Sequence, residues 1–496
     1  MFTYKNFIEL SKAGYNRIPI YRDIFADIDT PLSTYMKIDK KSWTFLLESV
    51  EGGDKKGRYS TIGLPCNERI EIRGKIVYFY KKNLLFKIIK VNNPLLWIEE
   101  FKLYYKSPII DNNLSFYGGL VGYFGYDTIF YIEPNILNIN KPDPINVPDI
   151  LLLVVNNLLV FDNISGRITL LTHANPADNK AFENAIKYLN ELEFQLRNNF
   201  IKKHNSINKN IYNINKNVFY SFTENGYKNA VNRIKDYILA GDIMQCVLSQ
   251  RISMNFNASG IDLYRALRSI NPSPYMFYFN MDDHEIVGAS PEIMIRLEGK
   301  NITLRPIAGT IHRGKTIEED SLLEEELLSD PKERAEHIML IDLGRNDISK
   351  VSKNCMVKLT DKMIIERYSH VMHIVSNITG VIKPEYSSID LLKATFPAGT
   401  LSGAPKIRSI EIINEIEPIK RCIYSGIVGY ISWQGNMEMA IAIRTAVIKN
   451  GKIHVQAGGG IVADSDHEKE WQETLNKRVA IFNAIIMAEK GLDNIN

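Results

Sequence analysis

The stretch GIVGYISWQGNMEMAIAIRTAVIKNGKIHVQ, residues 426–456, decides the fold. It holds three strand-like runs, Gly426–Trp433, Glu438–Val447 and Lys452–Gln456, separated by Gln434-Gly435-Asn436 and Asn450-Gly451. Asn-Gly between such segments is a strong hairpin signal, so the spacing predicts an antiparallel meander. From Met437 to Val447 the residues alternate. Met437, Met439, Ile441, Ile443 and Val447 make one face apolar, and Glu438, Ala440, Ala442, Arg444 and Ala446 make the other. Arg444 thus stands among alanines, where a guanidinium can grip a carboxylate bidentately or pair with an internal acid.

Upstream, Ile293–Leu297 and Asn301–Arg305 flank a Gly-Lys turn and read as a further hairpin. A strand is also expected over Asp242–Arg251, with Met244, Cys246 and Leu248 on one face and Gln245, Ser249 and Arg251 on the other. That polar face is either a site wall or solvent-facing. Helices interrupt the strands. One is expected from about Thr223 to Ala240, with Gly241 as C-cap, and one after Asp330-Pro331, an N-cap with proline at the first helical position. A third starts near Asp466, with Trp471, Leu475, Val479, Phe482 and Ile486 as its apolar stripe. Strand meanders with helices outside them indicate an α+β architecture. The segment NNFIKKHNSINKNIYNINKN, residues 198–217, has few residues able to bury. It reads as a linker over 201–221, between an N-terminal portion, 1–200, and a C-terminal portion, 222–496.

Composition narrows the function classes. The 496 residues are 45% hydrophobic and 24% charged, with a formal charge of +3. Without a basic stripe and interleaved aromatics, no nucleic-acid partner is expected. Cys66, Cys246, Cys355 and Cys422 form no CxxC pair, which argues against structural zinc or a disulfide framework and fits a reducing cytosol. Met1–Leu10 lacks an apolar signal region, and the longest apolar stretch, Ile150–Val155, is too short to span a bilayer. A soluble cytoplasmic protein with no membrane partner is the expectation.

The chemistry-bearing residues gather in the C-terminal portion. Glu333 and Glu336 in PKERAEH, and Glu470 and Glu473 in EKEWQET, are each three apart and share a helix face. Two such faces brought together would suit a hard cation such as Mg2+, which takes few carboxylates and keeps its waters. Taken alone, the same glutamates also fit a capping box and a solvated helix face. Gly458-Gly459-Gly460 could turn backbone N–H groups onto an anion or form a plain turn. TFPAGTLSGAPK, 395–406, and GGLVGYFGYD, 118–127, miss the nucleotide-loop spacings. His370 and His373 lie in a β-branched, aromatic-rich segment; as a strand it would send them to opposite faces, so no shared zinc is expected, although one could serve as acid or base.

The order and spacing of these motifs resemble one family. SPEIMIR, PIAGTIHRG, DPKERAEHIMLIDLGRND, RYSHVMHIV, TFPAGTLSGAPK, and QAGGGIV followed by EKEWQET are similar to the chorismate-utilising enzymes, densely over 223–488. TPLSTYMKI and FLLESVEGGDKKGRYSTIG look like the N-terminal lobe of their anthranilate synthase component I branch. The resemblance implies a two-domain α+β antiparallel sandwich with helices outside and the active site in its cleft. It implies Mg2+ ligated by Glu336 and Glu473, with Glu333 and Glu470 acting through water. The ring carboxylate of chorismate would be held with help from Gly458–Gly460 and Lys477. Arg444 and Tyr424 would grip the enolpyruvyl side, and Gly309-Thr310 would line the ring. Glu292 would be the proton donor as ammonia adds at C2 and the C4 hydroxyl leaves. His373 would assist the later loss of pyruvate.

Two positions separate the branches. Gln245 stands where water-adding relatives have a lysine base, and Ala308 where another branch has a lysine that attacks the ring. Gly459 replaces a usual alanine, and His467 a usual proline. The resemblance further implies a tryptophan inhibitor site at Ser49, Pro274, Tyr275 and Met276. It also implies a separate glutamine amidotransferase component II subunit, two of each in the assembly, because no amidotransferase motif is seen. The alternatives are an enzyme that releases 2-amino-2-deoxyisochorismate and a non-catalytic tryptophan-sensing relative.

Overall fold

Asn450 and Gly451 both have positive φ, 51° and 69°, and Lys449 pairs with Lys452 across them. This two-residue turn matches the right-handed twist of its strands, as an Asn-Gly hairpin should. The computed structural model describes residues 2–38, 42–50, 57–110, 114–137, 139–199, 218–368 and 371–492. Its strands form two antiparallel twelve-stranded sheets, each a run of eleven strands with one more beside it, Gly403–Ala404 on Gln245–Asn255 in the first and Lys358–Arg367 on Val371–Val381 in the second. The first runs Ile18–Phe25, Arg167–Ala174, Asn157–Asp162, Tyr59–Gly63, Thr44–Glu48, Tyr275–Asn280, His284–Ser290, Thr445–Lys449, Lys452–Ile461, Gln245–Asn255 and Phe219–Tyr220. The second runs Ile307–His312, Val371–Val381, Asn301–Leu304, Ile293–Glu298, Met437–Ile441, Ile427–Ser432, Gly119–Phe124, Ile150–Val155, Glu68–Arg73, Ile76–Lys81 and Leu84–Lys90.

The sheets share a buried core that explains their pairing. Phe45, Val160, Phe277, Phe279 and Ile286 of the first pack with Val121, Tyr123, Leu153 and Val428 of the second. Alternate residues of the first sheet face helices instead: Ile20, Leu170 and Val287 pack with Leu189, Leu263 and Ile485. The α+β sandwich with outer helices is therefore the observed fold. The division at 201–221 is not a division between sheets. Thr44–Glu48 pairs with Tyr275–Asn280, and Gly119–Phe124 with Ile427–Ser432, so each sheet is built from both portions. Residues 201–217 of the expected linker lie outside the described residues, and Phe219–Tyr220 pairs with Ile252 and Ser253. No helix among the described residues is long and apolar enough to cross a membrane.

Three local expectations are corrected. Glu438–Val447 is two strands: Met437–Ile441 belongs to the second sheet, and Thr445–Lys449 to the first. The chain changes sheets at Arg444, whose φ is 50°. No glycine or proline marks that corner, and the apolar alternation continues on both sides of it, so the pattern hides the break. The third helix is also two, His467–Asn476 and Val479–Lys490. The turn at Lys477-Arg478 rotates the stripe, leaving Val479 exposed and burying Ile481, Ala484, Ile485 and Ala488. The strand expected over 242–251 is Gln245–Asn255, and its polar face is buried: Ser249 bonds Glu417, and Arg251 bonds Gln456. The helices at Glu224–Leu239 and Pro331–Ser349 stand where their caps place them, with Thr223 accepting from Gly226 N and Asp330 from the N–H groups of Lys332 and Glu333.

Candidate active site

Two neighbouring chain segments change sheets side by side, and each leaves a functional group at its corner. His284–Ser290 of the first sheet leads through Pro291-Glu292 into Ile293–Glu298 of the second. Met437–Ile441 returns through Arg444 to Thr445–Lys449. Backbone bonds lock the corners together, from Ala289 N to Arg444 O at 3.1 Å and from Ile441 N to Glu292 O at 3.0 Å. Glu292 is buried, and its carboxylate oxygens each lie 3.3 Å from Thr400 Oγ1. Burial raises the carboxyl to about 8, against the lowering effect of Thr400 and the Ile307 backbone. Glu292 is therefore protonated near neutrality and able to donate.

His373 sits on Val371–Val381, beside the bulge of Ile307–His312. Gly309 is the bulged residue, with φ of 66° that a side chain rarely adopts. Its carbonyl lies 2.9 Å from His373 Nδ1, and Thr310 Oγ1 lies 3.0 Å from the same nitrogen. A carbonyl only accepts, so Nδ1 carries the proton and Nε2 keeps a lone pair. Burial, reinforced by Arg444, holds the imidazole below its usual range, while the Gly309 bond opposes this. His373 is thus a neutral base. His370 lies outside the described residues.

The acidic faces come from Pro331–Ser349 and His467–Asn476. Glu336 accepts from Gln245 Nε2 at 2.9 Å. Glu473 meets Lys477 Nζ at 2.5 Å. Burial raises the Glu333 carboxyl, with Glu336, Asp330 and Glu473 adding to it. Burial also raises Glu470, with Glu473 adding to it and Ser465 opposing. Glu470 Oε1 accepts from Ser465 at 2.7 Å, but its buried Oε2 has no partner. The carboxylates of both helices therefore repel one another across one space. Among the described residues no three His, Cys, Asp or Glu groups stand close enough to enclose an ion. An orphaned buried oxygen and mutually repelling carboxylates still fit a hard cation held by few protein oxygens and its own waters.

Arg444 and Tyr424 face this space. Burial lowers the Arg444 guanidinium from its ordinary value, with Tyr424 and Glu473 opposing this. Burial raises the Tyr424 phenol to about 12, so it is a donor. The glycine triplet is a strand and not a turn: Gly458–Gly460 lie in Lys452–Ile461, paired with Ser249, Leu248 and Val247. Their service is room. A Cβ on Gly459 would stand 2.9 Å from Glu470 Oε2, and one on Gly460 2.4 Å from Gln245 Nε2. Lys477 Nζ also donates to Gly458 O at 3.0 Å. Nothing in TFPAGTLSGAPK marks Thr400 in the sequence, because a lone threonine carries no signal until its partner Glu292 is in place.

Ser49, Pro274, Tyr275 and Met276 line a separate cavity of about 170 Å³, together with Arg296, Glu438 and Tyr430. Arg296 pairs with Glu438 there. The antiparallel strands Ile293–Glu298 and Met437–Ile441 thus join the Glu292 corner to this cavity, the first running away from the corner and the second toward it.

The chain is similar to known proteins along most of its length. A model of the chorismate binding enzyme family matches residues 70–483. Anthranilate synthase component 1 of Pseudomonas aeruginosa is 51% identical over 489 residues, 99% of this chain and 99% of that protein. That of Acinetobacter calcoaceticus is 45% identical over 513 residues, 99% of this chain and all of that protein. The crystal structure of anthranilate synthase component I from Streptococcus pneumoniae aligns with a TM-score of 0.75 at 35% identity, over 92% of this chain and 99% of that one. The menaquinone-specific isochorismate synthase of Escherichia coli shares the fold, with a TM-score of 0.69 at 17% identity over 97% of this chain and 98% of that one. With a family match over most of its length and relatives half identical from end to end, the chain belongs to the anthranilate synthase component 1 family of chorismate binding enzymes.

Proposed function

We propose that the chain converts chorismate and ammonia to anthranilate and pyruvate. The observation that carries this reading is a protonated Glu292 and a neutral His373 held against one strand, Ile307–His312, the acid by the Ile307 backbone and the base by the Gly309 carbonyl. Ammonia forms a bond to C2 of the ring while the C4–oxygen bond breaks, and the Glu292 proton leaves with that oxygen as water. The new ammonium group gives up its extra proton, which restores Glu292. His373 Nε2 then takes the C2 proton as the C3–oxygen bond breaks, which aromatises the ring and releases enolpyruvate, and the proton held by His373 goes to the methylene carbon of that enol to give pyruvate. Arg444 and Tyr424 orient the enolpyruvyl carboxylate. Mg2+, bound by Glu336 and Glu473 with Glu333 and Glu470 through water, would draw charge from the ring carboxylate. Gln245 lacks a base's lone pair to activate water, and Ala308 brings no amine to C2.

Ammonia would come from glutamine through a component II subunit, two copies of each chain assembling. Tryptophan would inhibit from the cavity at Ser49, Pro274, Tyr275 and Met276. The test is purified chain with chorismate, ammonium salt and Mg2+, followed by anthranilate fluorescence. Full turnover supports the reading; accumulation of 2-amino-2-deoxyisochorismate without fluorescence refutes the elimination step, and no consumption of chorismate refutes the reading.

A further inference from the structure

Arg421 is a buried guanidinium with every donor occupied. Its Nε and Nη2 grip Glu417 at 2.9 and 2.7 Å, a bidentate pair whose side chains are 1% and 3% exposed. The other Nη2 hydrogen goes to Val247 O at 2.6 Å, and Nη1 donates to Leu401 O at 2.9 Å and Ser425 Oγ at 3.2 Å. The ring of Tyr126 lies 4.7 Å from the guanidinium carbon. Glu417 is equally engaged, since Oε1 also accepts from the Ser249 N–H at 2.8 Å and from its hydroxyl at 2.7 Å.

A buried ion pair is weak evidence of added stability, because desolvating two charges offsets most of their attraction. A fully matched fork is instead a demanding geometric constraint. What the acceptors carry gives this constraint a purpose. Leu401 follows Thr400, whose hydroxyl meets Glu292. Val247 lies two residues from Gln245, whose amide holds Glu336. Ser425 follows Tyr424. Three segments distant in sequence, each delivering one group to the cleft, thus hang on one side chain that makes no hydrogen bond to those groups and touches only the Tyr424 ring, 5.8 Å from its guanidinium carbon.

We infer that the Arg421–Glu417 pair is a positioning unit that sets the mutual geometry of Thr400, Gln245 and Tyr424 in the active site. The inference rests on the functional reading above. A lysine at 421 keeps the charge but offers a compact ammonium, unable to serve acceptors spread around a planar fork.

The experiment compares Arg421→Lys, Glu417→Gln and Ser425→Ala with the parent, each as the full chain with chorismate, ammonium salt and Mg2+. Melting temperature, kcat, KM for chorismate and the alkaline limb of the pH profile are measured. Positioning predicts that kcat per folded molecule falls at least about tenfold in Arg421→Lys, a loss of 1.4 kcal/mol of transition-state stabilisation. It also predicts that KM changes less than kcat and that the alkaline limb moves. A purely structural pair predicts lower melting temperatures with parental kcat and an unmoved limb, and that result overturns the inference. If Arg421→Lys and Glu417→Gln fail to fold, Ser425→Ala decides. It removes the Arg421 bond to Ser425 and Ser425's own side-chain bond to Tyr424, and a parental kcat and profile there are equally fatal. A parent that makes no anthranilate would defeat the functional reading instead, a separate outcome.

Discussion

The half-buried Thr400 hydroxyl lies 3.3 Å from both carboxylate oxygens of the buried Glu292. Burial nevertheless dominates and lifts the carboxyl to about 8. With free NH3 held constant, turnover should therefore fall as pH rises through about 8, as the donor loses its proton. Glu292→Gln should cost about 10²- to 10⁴-fold, the usual worth of a general acid, and erase that limb. The folded value lies above the unfolded one, so the parent loses stability from the ordinary carboxylate range up to about 8. Glu292→Gln should accordingly melt higher than the parent at pH 9. A parental rate that stays flat to pH 9 at fixed NH3 contradicts the assignment.

The unpartnered Glu470 Oε2 and its repulsion by Glu473 give the metal reading a readout independent of turnover. Mg2+ should raise the melting temperature of the parent, because ligand binding to the folded state stabilises it. Glu473→Gln should abolish that rise along with activity. Glu470→Gln should be more stable than the parent without Mg2+, since it removes one buried carboxylate from a repelling set. Equal thermal responses to Mg2+ in the parent and Glu473→Gln would rule out the site.

Glutamine should be useless to the chain alone. Amide hydrolysis by a thiol needs a thiolate beside a base, and burial pushes Cys66, Cys246 and Cys422 up to about 12. Anthranilate should form with ammonium salt and rise with pH below the Glu292 limb, as free NH3 increases. With glutamine it should form only after a component II subunit is added. Substantial glutamine-dependent turnover by the single chain would exclude a two-subunit system.

The cavity at Ser49 predicts a separable inhibitor response. Ser49→Phe projects a ring into about 170 Å³ bounded by Pro274, Tyr275 and Met276. The ratio of rates with and without tryptophan should move to near one in this variant, while in the parent it falls well below one. Calorimetry should show tryptophan binding to the parent only. Undiminished inhibition of Ser49→Phe would place the inhibitor elsewhere.

Much of this site was legible because its residues sit on strongly capped helices. Asp330-Pro331 and Asp466 mark the helix starts, and i,i+3 spacing then aligns Glu333 with Glu336 and Glu470 with Glu473. The strands around Gly299-Lys300 and Asn450-Gly451 were legible for the same local reason. Arg444 was misplaced because a corner made by an arginine with positive φ leaves the period-two pattern intact. Gly458–Gly460 looked like a loop because a triplet of glycines suits one. Its cause is tertiary, the approach of Glu470 and Gln245 to a strand. Arg421 and Thr400 draw their meaning from partners distant in the chain, which no local pattern encodes.

The interleaving of both portions in both sheets has a consequence for synthesis. Leu46 finds its neighbour in Tyr278, and Gly122 finds its in Gly429, both far downstream. On a ribosome moving at about 5–20 residues per second, the early strands wait on the order of ten seconds or more for those partners. Throughout that interval Thr44–Glu48 and Gly119–Phe124 present unpaired backbone on at least one edge, the condition that invites association between nascent chains. Chains stalled at residue 199 should therefore be digested readily by protease and resist only after release of the whole polypeptide. The rate of elongation, as much as the final stability, then governs how much of this protein reaches its native state.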